Sequence, residues 1–437
     1  MKILKFGGTS VGSADRMKAV AQLIQGEDKK LVVLSAMSGT TNSLVEIASY
    51  LFKKENDIAS NLIEGLRLKY FKTVDELFES DKKEDATALI NSHFDFLQAF
   101  TQDSFTIHEE KAVLAQGELL STALFQLYLE EIGQNSCLLP ALQFMRIDKD
   151  LEPDHFYIKE NLNRLMEERK SHSIFITQGF ICRNVYGEID NLKRGGSDYS
   201  ASLMGVALKA DEVQIWTDID GMHNNDPRVV DQTNPIQELS FDEAAELAYF
   251  GAKILHPSSI LPAKTANMPV RLKSTLSPEL PGTIITSKHS SGGIKAVAAK
   301  DGISAIKINS GRMLLAYGFL RRVFEIFELY KTSIDMITTS EVAVSVTIDD
   351  QSNLKEISRE LEKYGVVEVD HEQSIICVVG DFIKKDTGVA HRVFSVLKDI
   401  PIRMISYGGS NHNISFLVNT SDKTKTLQAL NKLFIHE

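Results

Sequence analysis

The chain has 437 residues, and 48 basic against 59 acidic side chains give it a net charge of −11. At about 150 residues per domain, this length predicts about three domains and not one large core. The acidic balance disfavours a nucleic-acid binder. A composition of 43% hydrophobic and 24% charged residues is typical of a folded globular protein. The sequence has no apolar run near 18 residues, so we expect no membrane span.

The cysteines and the N-terminus bear on the cellular compartment. The three cysteines are widely spaced and form no CxxC pattern, which argues against a disulfide framework or a structural zinc site. The opening MKILKFGGTS contains an apolar run too short for a signal peptide. We therefore expect a cytoplasmic protein.

The chain opens with a predicted buried strand, Ile3–Phe6, which runs into the pair Gly7-Gly8. Backbone amides beside paired glycines approach a phosphate closely, and the N-terminus of the helix predicted next adds a favourable dipole. Lys5 supplies a local positive charge. This strand, loop and helix precede a second apolar run at residues 31–35, and the order predicts an α/β domain with parallel strands.

The same loop matches a second motif. Gly8-Thr9-Ser10-Val11-Gly12 fits G-x-S-x-G, the nucleophile elbow of serine hydrolases. That elbow follows a strand well inside the chain, whereas this loop follows the first strand. A serine hydrolase is therefore the alternative, and fluorophosphonate labelling of Ser10 would identify it.

A second glycine-rich loop comprises Arg194-Gly195-Gly196-Ser197-Asp198. It leads into a predicted helix that Ser197 can cap. Arg194 is suited to bidentate capture of a carboxylate, and the helix dipole favours an ionised Asp198. An acidic group in an anion site is useful if it orients a lysine or holds Mg²⁺. The alternative is a capped helix beside a surface arginine.

Three further segments carry polar residues at positions suited to a ligand. The strand Glu212–Thr217 ends in a polar turn, which is the usual ligand edge of an α/β sheet. Lys253 is a candidate second phosphate lysine. Gly117 lies within a predicted helix, where glycine costs about 1 kcal/mol relative to alanine. This predicts either a kink or close helix packing at Gly117, or a Glu118 that faces the substrate cleft and accepts from an amine.

The last third contains an internal repeat. Gly318–Phe324 recurs as Gly388–Phe394 at an offset of 70, and Ile334–Thr338 recurs as Ile402–Ser406 at an offset of 68. Each copy has the pattern of a helix, a strand, a turn and a strand, which predicts two small duplicated modules. Their separation from the first 290 residues or so favours regulation or assembly. The alternative is that the repeats only build a dimer interface.

The motifs KFGGTS, RGGSD, WTD, FGAK and LHP, in this order, resemble the aspartate kinases. The resemblance covers essentially the whole chain, and the repeats resemble a pair of ACT domains. It implies an α/β amino-acid kinase fold, with a mostly parallel central sheet sandwiched by helices, followed by two ferredoxin-like α+β ACT domains. The expected boundaries are 1–290, 301–368 and 369–437, and the strand 294–299 could complete the last domain. The length resembles the monofunctional enzymes, without a fused homoserine dehydrogenase.

The resemblance also implies roles for single residues. Lys5 and Asp198 would be catalytic. The implied ATP- or phosphate-binding positions are Lys5, Gly7, Gly8, Thr9, Ser10, Thr217, Asp218, His223, Arg228, Lys253 and Ile254. The implied aspartate-binding positions are Thr41, Glu118, Phe180, Arg194 and Ser197. The implied effector positions, matched to the lysine-sensitive branch, are Met313, Gly318, Phe319, Leu320, Ile334, Asp335, Thr339, Ser340 and Glu341.

The implied reaction is ATP-dependent phosphorylation of the L-aspartate side chain to 4-phospho-L-aspartate, the first step towards lysine, threonine and methionine. ATP and Mg²⁺ are the implied cofactors, with Mg²⁺ held mainly by the ATP phosphates and not by a protein metal site. The substrate carboxylate, with a free pKa of about 3.9, is already ionised at neutral pH, so no general base is needed. Catalysis then consists of positioning the carboxylate and the phosphoryl group in line and neutralising their negative charges with lysine and Mg²⁺.

Lysine is the expected effector, and threonine, both amino acids or neither are the alternatives. Leu315 and Ala316 stand where the lysine-sensitive branch tends to be polar, and Lys193 and His223 also depart from the usual pattern. ACT modules commonly pair across chains, which predicts a homodimer or a higher oligomer. The alternative functions are another amino-acid kinase, acting on glutamate or acetylglutamate, and a catalytically weak amino-acid sensor.

Overall fold

The computed structural model describes residues 1–434 except 27, 193–194, 252–254, 289–292, 312–316 and 382–386. The chain forms two compact units. Unit 1 comprises Met1–Met222, Gln237–Phe241 and Ile254–Ser287. Unit 2 comprises His223–Ile236, Asp242–Lys253 and Lys288–Glu437.

Unit 1 contains a central eight-stranded sheet. Its strands and the separate hairpin β5–β6 are β1 (Lys2–Phe6), β2 (Lys30–Leu34), β3 (Ser136–Leu138), β4 (Ile174–Gln178), β5 (Ile181–Arg183), β6 (Ile189–Asn191), β7 (Glu212–Thr217), β8 (Glu238–Ser240), β9 (Val270–Ser274) and β10 (Thr283–Thr286). The order is β3-β4-β2-β1-β7-β9-β10-β8. Neighbouring strands are parallel except β9 and β10. This confirms the mostly parallel sheet of the amino-acid kinase prediction.

The central strands have the composition of parallel strands that are covered on both faces. Leu31, Val32, Val33 and Leu34 of β2 are all fully buried, with no alternation of polar residues. The register of β2 against β1 and β4 places the last residues of the three strands side by side, with Phe6 opposite Leu34 and Leu34 opposite Gln178. The loops that follow these strands therefore emerge together at one edge.

Unit 1 also contains the helices α1 (Ala14–Leu23), α2 (Thr40–Phe52), α3 (Asn56–Leu77), α4 (Lys82–Ala99), α5 (Ile107–Glu131), α6 (His155–Glu168), α7 (Gly196–Leu208) and α9 (Leu261–Thr265). Helix α8 (Phe241–Tyr249) belongs to unit 2 except for its first residue. A capping box starts α5, because Thr106 and Glu109 bond each other's backbone amides. Helices α2 to α5 share one core, which contains the fully buried Tyr70, Phe94 and Phe125.

Unit 2 is built on a six-stranded antiparallel sheet. Its strands are β11 (Gly293–Asn309), β12 (Ile337–Thr339), β13 (Ala343–Ile348), β14 (Val366–Asp381), β15 (Met404–Tyr407) and β16 (Asn413–Asn419), in the order β12-β13-β11-β14-β16-β15. Its further helices are α10 (Phe319–Leu329), α11 (Leu354–Leu361), α12 (Val389–Val396) and α13 (Lys423–Asn431). Both repeats thus contain the predicted helix, strand, turn and strand.

The two repeats share one continuous sheet. Strand β11 pairs with β14 along nearly its whole length, from Gly293 opposite Asp381 to Asn309 opposite Val366. Its first part lies beside the β14 segment that pairs with β16, and its last part also pairs with β13. Strands β11 and β14 each contribute to both halves of this sheet, so neither repeat forms a separate sheet. The domain boundaries at residues 290, 301 and 369 therefore stay a prediction.

Unit 2 also incorporates two segments from within the predicted 1–290 domain. Val230 packs in the core that contains Phe416. The side-chain amide of Asn225 donates to the carbonyl of Leu427 over 2.9 Å, and Asn413 donates to Glu246 over 2.6 Å. These hydrogen bonds and apolar contacts place segments 223–236 and 242–251 among the repeats.

Two smaller findings concern the helices. Ser197 does not cap α7, contrary to expectation, because the helix already begins at Gly196 and Gly195 takes the cap position with a left-handed φ of 77°. In the part of the chain that the structure describes, we find no helix with the length and apolarity needed to span a bilayer.

The packing of α4 predicts a difference between two of its phenylalanines. Phe94 is fully buried and stacks edge-on against Tyr70, whereas Phe96 is 42% exposed. We expect Phe94→Ala to lower the free energy of unfolding by about 3–5 kcal/mol, because it leaves a cavity. Phe96→Ala is the matched control, with an expected loss below about 1 kcal/mol. Urea denaturation followed by circular dichroism measures both, and equal losses would contradict the assigned core.

Candidate active site

The loops that follow β1, β2 and β4 surround a cavity of about 420 Å³ in unit 1. Such an edge, where parallel strands end, is the usual ligand site of α/β folds. Its lining residues are Gly8, Thr9, Ser35, Ala36, Met37, Ser38, Gly39, Thr41, Asn42, Glu118, Phe180, Gly196 and Ser197. The cavity thus brings together four of the implied aspartate-binding positions and two from the first glycine loop.

An ion pair joins the two glycine loops. The Nζ atom of Lys5 lies 2.8 Å from Oδ1 of Asp198, and the two side chains are 12% and 14% exposed. A Cβ atom added to Gly7 would lie 3.5 Å from the same Nζ, so the ammonium lies against the first loop. Asp198 is in the first turn of α7. The carboxylate therefore orients Lys5 beside the glycines.

The first loop approaches the loop after β2 closely. The carbonyl of Gly8 accepts a hydrogen bond from the amide of Ser38 over 3.1 Å, and a Cβ atom on Gly8 would lie 2.8 Å from the carbonyl oxygen of Ala36. A side chain at Gly8 would force these loops apart.

Ser10 supports the first glycine loop from the protein side. Its side chain is 1% exposed, its hydroxyl donates to the carbonyl of Trp216 over 3.5 Å, and its amide donates to Gly7 over 3.0 Å. Both donors of Ser10 thus bond the protein and support the loop, while the implied contact of Ser10 with a phosphate stays a prediction.

Two helices direct their N-termini towards the cavity. Gly39 precedes α2 with φ 81° and Gly195 precedes α7 with φ 77°, left-handed conformations that suit glycine. Thr41 in the first turn of α2 and Ser197 in that of α7 line the cavity. The first amides of a helix lack partners within it and carry partial positive charge, so this edge favours anions.

Phe180 is held in a strained conformation. Its φ of 64° lies in the left-handed region, where a non-glycine residue is costly. The amide of Phe180 donates to Ser200 over 2.9 Å, and its carbonyl accepts from Leu192 over 2.8 Å. A Cβ atom on Gly196 would lie 2.5 Å from the Phe180 ring. These contacts fix the ring against the start of α7.

Glu118 is a buried carboxylate at the cavity wall, 3% exposed. Its Oε1 atom accepts from the amide of Ala36 over 3.2 Å, and its Oε2 atom has no hydrogen-bond partner among the described residues. Burial raises the pKa of Glu118 to about 7, against smaller opposing effects of the backbone amides and of Lys5. An ammonium group would satisfy the unpaired oxygen and stabilise the ionised carboxylate.

The glycine before it permits this placement. A Cβ atom on Gly117 would lie 2.7 Å from the Cβ atom of Ala36. Helix α5 can therefore approach the loop after β2 closely enough for Glu118 to reach the amide of Ala36. The sequence offered close packing at Gly117 and a cavity-facing Glu118 as alternatives. In the structure both are present, and the close packing at Gly117 allows Glu118 to line the cavity.

The implied ATP-binding positions fall in both units. In unit 1, Thr217 ends β7 and its hydroxyl donates to Asp218 over 3.0 Å. In unit 2, His223 bonds the hydroxyl of Thr233 over 2.8 Å, and the largely exposed Arg228 pairs with Asp226 at 2.8 Å. Lys253 and Ile254 lie outside the described residues, as does Arg194, the implied carboxylate-binding arginine of the aspartate site.

The implied effector positions lie in unit 2. Gly318 precedes α10 and Phe319 and Leu320 start it, Ile334 and Asp335 precede β12, Thr339 ends β12, and Ser340 and Glu341 form the turn before β13. Met313 lies outside the described residues, together with Leu315 and Ala316. The expected partner of an effector amine, Asp335, is already paired with Lys300 at 2.7 Å.

Metal-binding side chains do not cluster in the described parts of either unit, where we find no group of three or more His, Cys, Asp or Glu residues placed to hold an ion.

Comparison with known proteins agrees with this arrangement. Residues 1–274 match the amino acid kinase family, and residues 376–434 match an ACT domain. The lysine-sensitive aspartokinase 3 of Escherichia coli is 35% identical over 447 residues, which cover 98% of each chain. The crystal structures of E. coli aspartokinase III with aspartate and ADP, and with lysine and aspartate, each give a TM-score of 0.83 at 33% identity with full coverage of both chains.

The chain belongs to the aspartokinase family. Its activity is the ATP-dependent phosphorylation of L-aspartate, with a regulatory ACT region after the kinase domain, as the motifs predicted. The serine hydrolase, the other amino-acid kinases and the weak sensor are thereby set aside.

The contact of Gly117 with Ala36 gives a test of the site's construction. Gly117→Ala places a methyl group 2.7 Å from the Cβ atom of Ala36, so we expect a raised KM for aspartate and a loss of about 1–3 kcal/mol in stability. Gly65→Ala is the control, because the corresponding methyl group on α3 has no heavy atom within 4 Å. It should stabilise by about 0.5–1 kcal/mol and leave KM unchanged. An unchanged KM in Gly117→Ala would contradict the proposed packing.

Proposed function

We propose that this enzyme holds L-aspartate in the cavity of unit 1 and there transfers the γ-phosphoryl group of ATP to the substrate's side-chain carboxylate. The observation that carries the proposal is the Lys5–Asp198 ion pair, which stands at the glycine loops whose residues line the same cavity as Glu118. The E. coli relative was solved with aspartate and ADP, which supports the pairing of these two ligands.

The lining suits an amino acid with one ammonium and two carboxylates. Glu118 would bind the α-ammonium through its unpaired oxygen, and Arg194 the α-carboxylate. The amides at the starts of α2 and α7 would hold carboxylate oxygens, with Thr41 and Ser197 in the first turns. Phe180 would limit the cavity at the α7 side. The side-chain carboxylate would then lie at the glycine loops.

The transfer step needs charge stabilisation rather than proton abstraction, because the aspartate carboxylate is ionised at neutral pH. Lys5 would stabilise the negative charge that develops on the transferring phosphoryl group, and Asp198 would keep its ammonium oriented. The amides of Gly7 and Gly8 would approach the phosphate oxygens. Mg²⁺ carried by the ATP phosphates would neutralise further charge. The remaining residues proposed to bind ATP are Thr9, Ser10, Thr217, Asp218, His223, Arg228, Lys253 and Ile254.

Regulation belongs to the same proposal. We propose L-lysine as the effector of the repeats in unit 2, at the positions Met313, Gly318, Phe319, Leu320, Ile334, Asp335, Thr339, Ser340 and Glu341. The E. coli relative is described as lysine-sensitive and was solved with lysine, which supports this choice. A homodimer or higher homo-oligomer and a cytoplasmic location complete the proposal.

The ion pair predicts the result of a turnover assay. Lys5→Ala and Asp198→Ala should each lower kcat/KM by about a hundredfold or more, because the transition state loses an oriented positive charge. The assay incubates enzyme with ATP, Mg²⁺ and aspartate and traps the acyl phosphate with hydroxylamine as a hydroxamate. Lys2→Ala, on the exposed end of the same strand, is the control and should retain activity. Near-normal turnover in Lys5→Ala would reject the assigned role.

The raised pKa of Glu118 predicts how aspartate binding depends on pH. With a pKa of about 7, the carboxylate is mostly protonated at pH 6 and mostly ionised at pH 8, a change of about tenfold in the ionised fraction. Since the ammonium needs the ionised form, KM for aspartate should fall as pH rises through this range. Glu118→Gln should raise KM and remove that slope. A KM that is flat from pH 6 to pH 8 in the unmodified enzyme would contradict the assignment.

A further inference from the structure

Four side chains of unit 2 form a partly buried charge cluster, which we call the Lys300 cluster. Lys300 on β11 places its Nζ atom 2.7 Å from Oδ1 of Asp335 and 2.8 Å from Oδ2 of Asp349. The same ammonium lies 4.6 Å from the centre of the Tyr249 ring, and the Tyr249 hydroxyl donates to Oδ1 of Asp335 over 2.7 Å. Burial by itself lowers the pKa of Lys300, but the hydrogen bonds and charges of the two carboxylates together outweigh it and raise the pKa, so the ammonium stays charged.

The two carboxylates of the cluster differ in their surroundings. The Asp335 side chain is 1% exposed, and its Oδ2 atom has no hydrogen-bond partner among the described residues. The Asp349 side chain is 42% exposed. A buried carboxylate that loses its counter-ion is strongly destabilised, whereas a lysine that keeps one carboxylate is not. Lys300 can therefore leave Asp335 and retain Asp349 if another cation reaches Asp335.

We infer that Lys300 is an internal competitor for the effector: the ammonium group of an amino-acid effector displaces it from Asp335, and Tyr249 transmits the exchange. This inference rests on the proposed regulation by an amine. It assigns two residues, Lys300 and Tyr249, that lie outside the implied effector positions. In the absence of effector, Lys300 stabilises Asp335 and so weakens effector binding. With effector bound, Lys300 stays with Asp349.

Tyr249 connects the cluster to the segment proposed to bind ATP. It is the last residue of α8 and precedes Lys253 by four positions. Gly251, two residues further on, lies against β11, because a Cβ atom on it would lie 2.0 Å from the carbonyl oxygen of Ala299, the neighbour of Lys300. A change in the acceptor of the Tyr249 hydroxyl therefore acts on the chain that leads directly to Lys253.

The second repeat supplies a matched control. The repeat offsets of 70 and 68 carry Lys300 to Asp370 and Asp335 to Arg403. Asp370 and Arg403 also form an ion pair, with Nε of Arg403 2.8 Å from Oδ2 of Asp370. The duplicated pair thus has its charges exchanged. The second repeat has no carboxylate at the position of Asp335, and without Arg403 the Asp370 side chain, 43% exposed, is solvated by water, so removal of this second pair should not change the affinity for an amine.

The first experiment measures the binding of L-lysine to the full chain by isothermal titration calorimetry at neutral pH. Lys300→Met removes the competing ammonium, so we expect the Kd for lysine to fall at least about fivefold. Arg403→Met, the control, should stay within about twofold of the unmodified protein. If Lys300 competes so strongly that the unmodified protein binds no measurable lysine, the Lys300→Met protein must still bind it. An equal or weaker affinity in Lys300→Met, or no binding in both, overturns the inference.

The second experiment uses Tyr249→Phe, which keeps the ring over Lys300 and removes only the hydroxyl. Its Kd for lysine should stay within about twofold, while the maximal inhibition of hydroxamate formation by lysine should fall to less than half. Full inhibition would overturn the role of Tyr249. Hydroxamate formation without lysine is recorded for every protein. Its absence in the unmodified enzyme would reject the proposed function itself, which separates the two failures.

Discussion

The ion pair between Lys5 and Asp198 is the constraint on which the proposed active site depends. The two residues are almost two hundred positions apart, and their charges lie mostly out of solvent, where an unpaired charge would be costly. Their approach requires the first strand and the start of α7 to meet at one sheet edge. Gly7 lies against the pair, because a Cβ atom there would lie 3.5 Å from the Lys5 ammonium, while Gly8 and Gly196 allow the two loops to pack closely on the loop after β2 and on Phe180. The ion pair and the two glycine loops therefore form one structural unit.

The cavity beside this pair is electrostatically incomplete without substrate. Two helix N-termini favour anions there, while Glu118 is a buried carboxylate with an unpaired oxygen and a raised pKa. An amino acid with two carboxylates and one ammonium complements these charges, and its binding would return Glu118 to the ionised form. Local charges of this kind determine what the cavity accepts. The net charge of −11, which is spread over the whole surface, does not oppose the binding of anionic substrates.

The two repeats of unit 2 have diverged in the charges of one ion pair. Both repeats keep an ion pair at equivalent positions, but Lys300–Asp335 and Asp370–Arg403 carry exchanged charges. The first copy alone keeps a buried carboxylate that an amine can use. Unit 2 also contains helix α8, whose Tyr249 bonds Asp335. A change at Asp335 thus acts on a segment that the sequence assigns to the kinase domain, which suits feedback control.

The sequence by itself determined the fold class and the two glycine loops, because buried parallel strands and glycine turns leave local patterns of apolar and small residues. It also determined the repeat and, through the order of the motifs, the family. Only the tertiary structure decided that Ser10 supports its loop and that Gly195 precedes α7. Only the structure showed that segments 223–236 and 242–251 belong with the repeats, and that Lys300 is paired with Asp335. These features depend on contacts between residues far apart in the chain, and no local pattern encodes which partner a side chain meets.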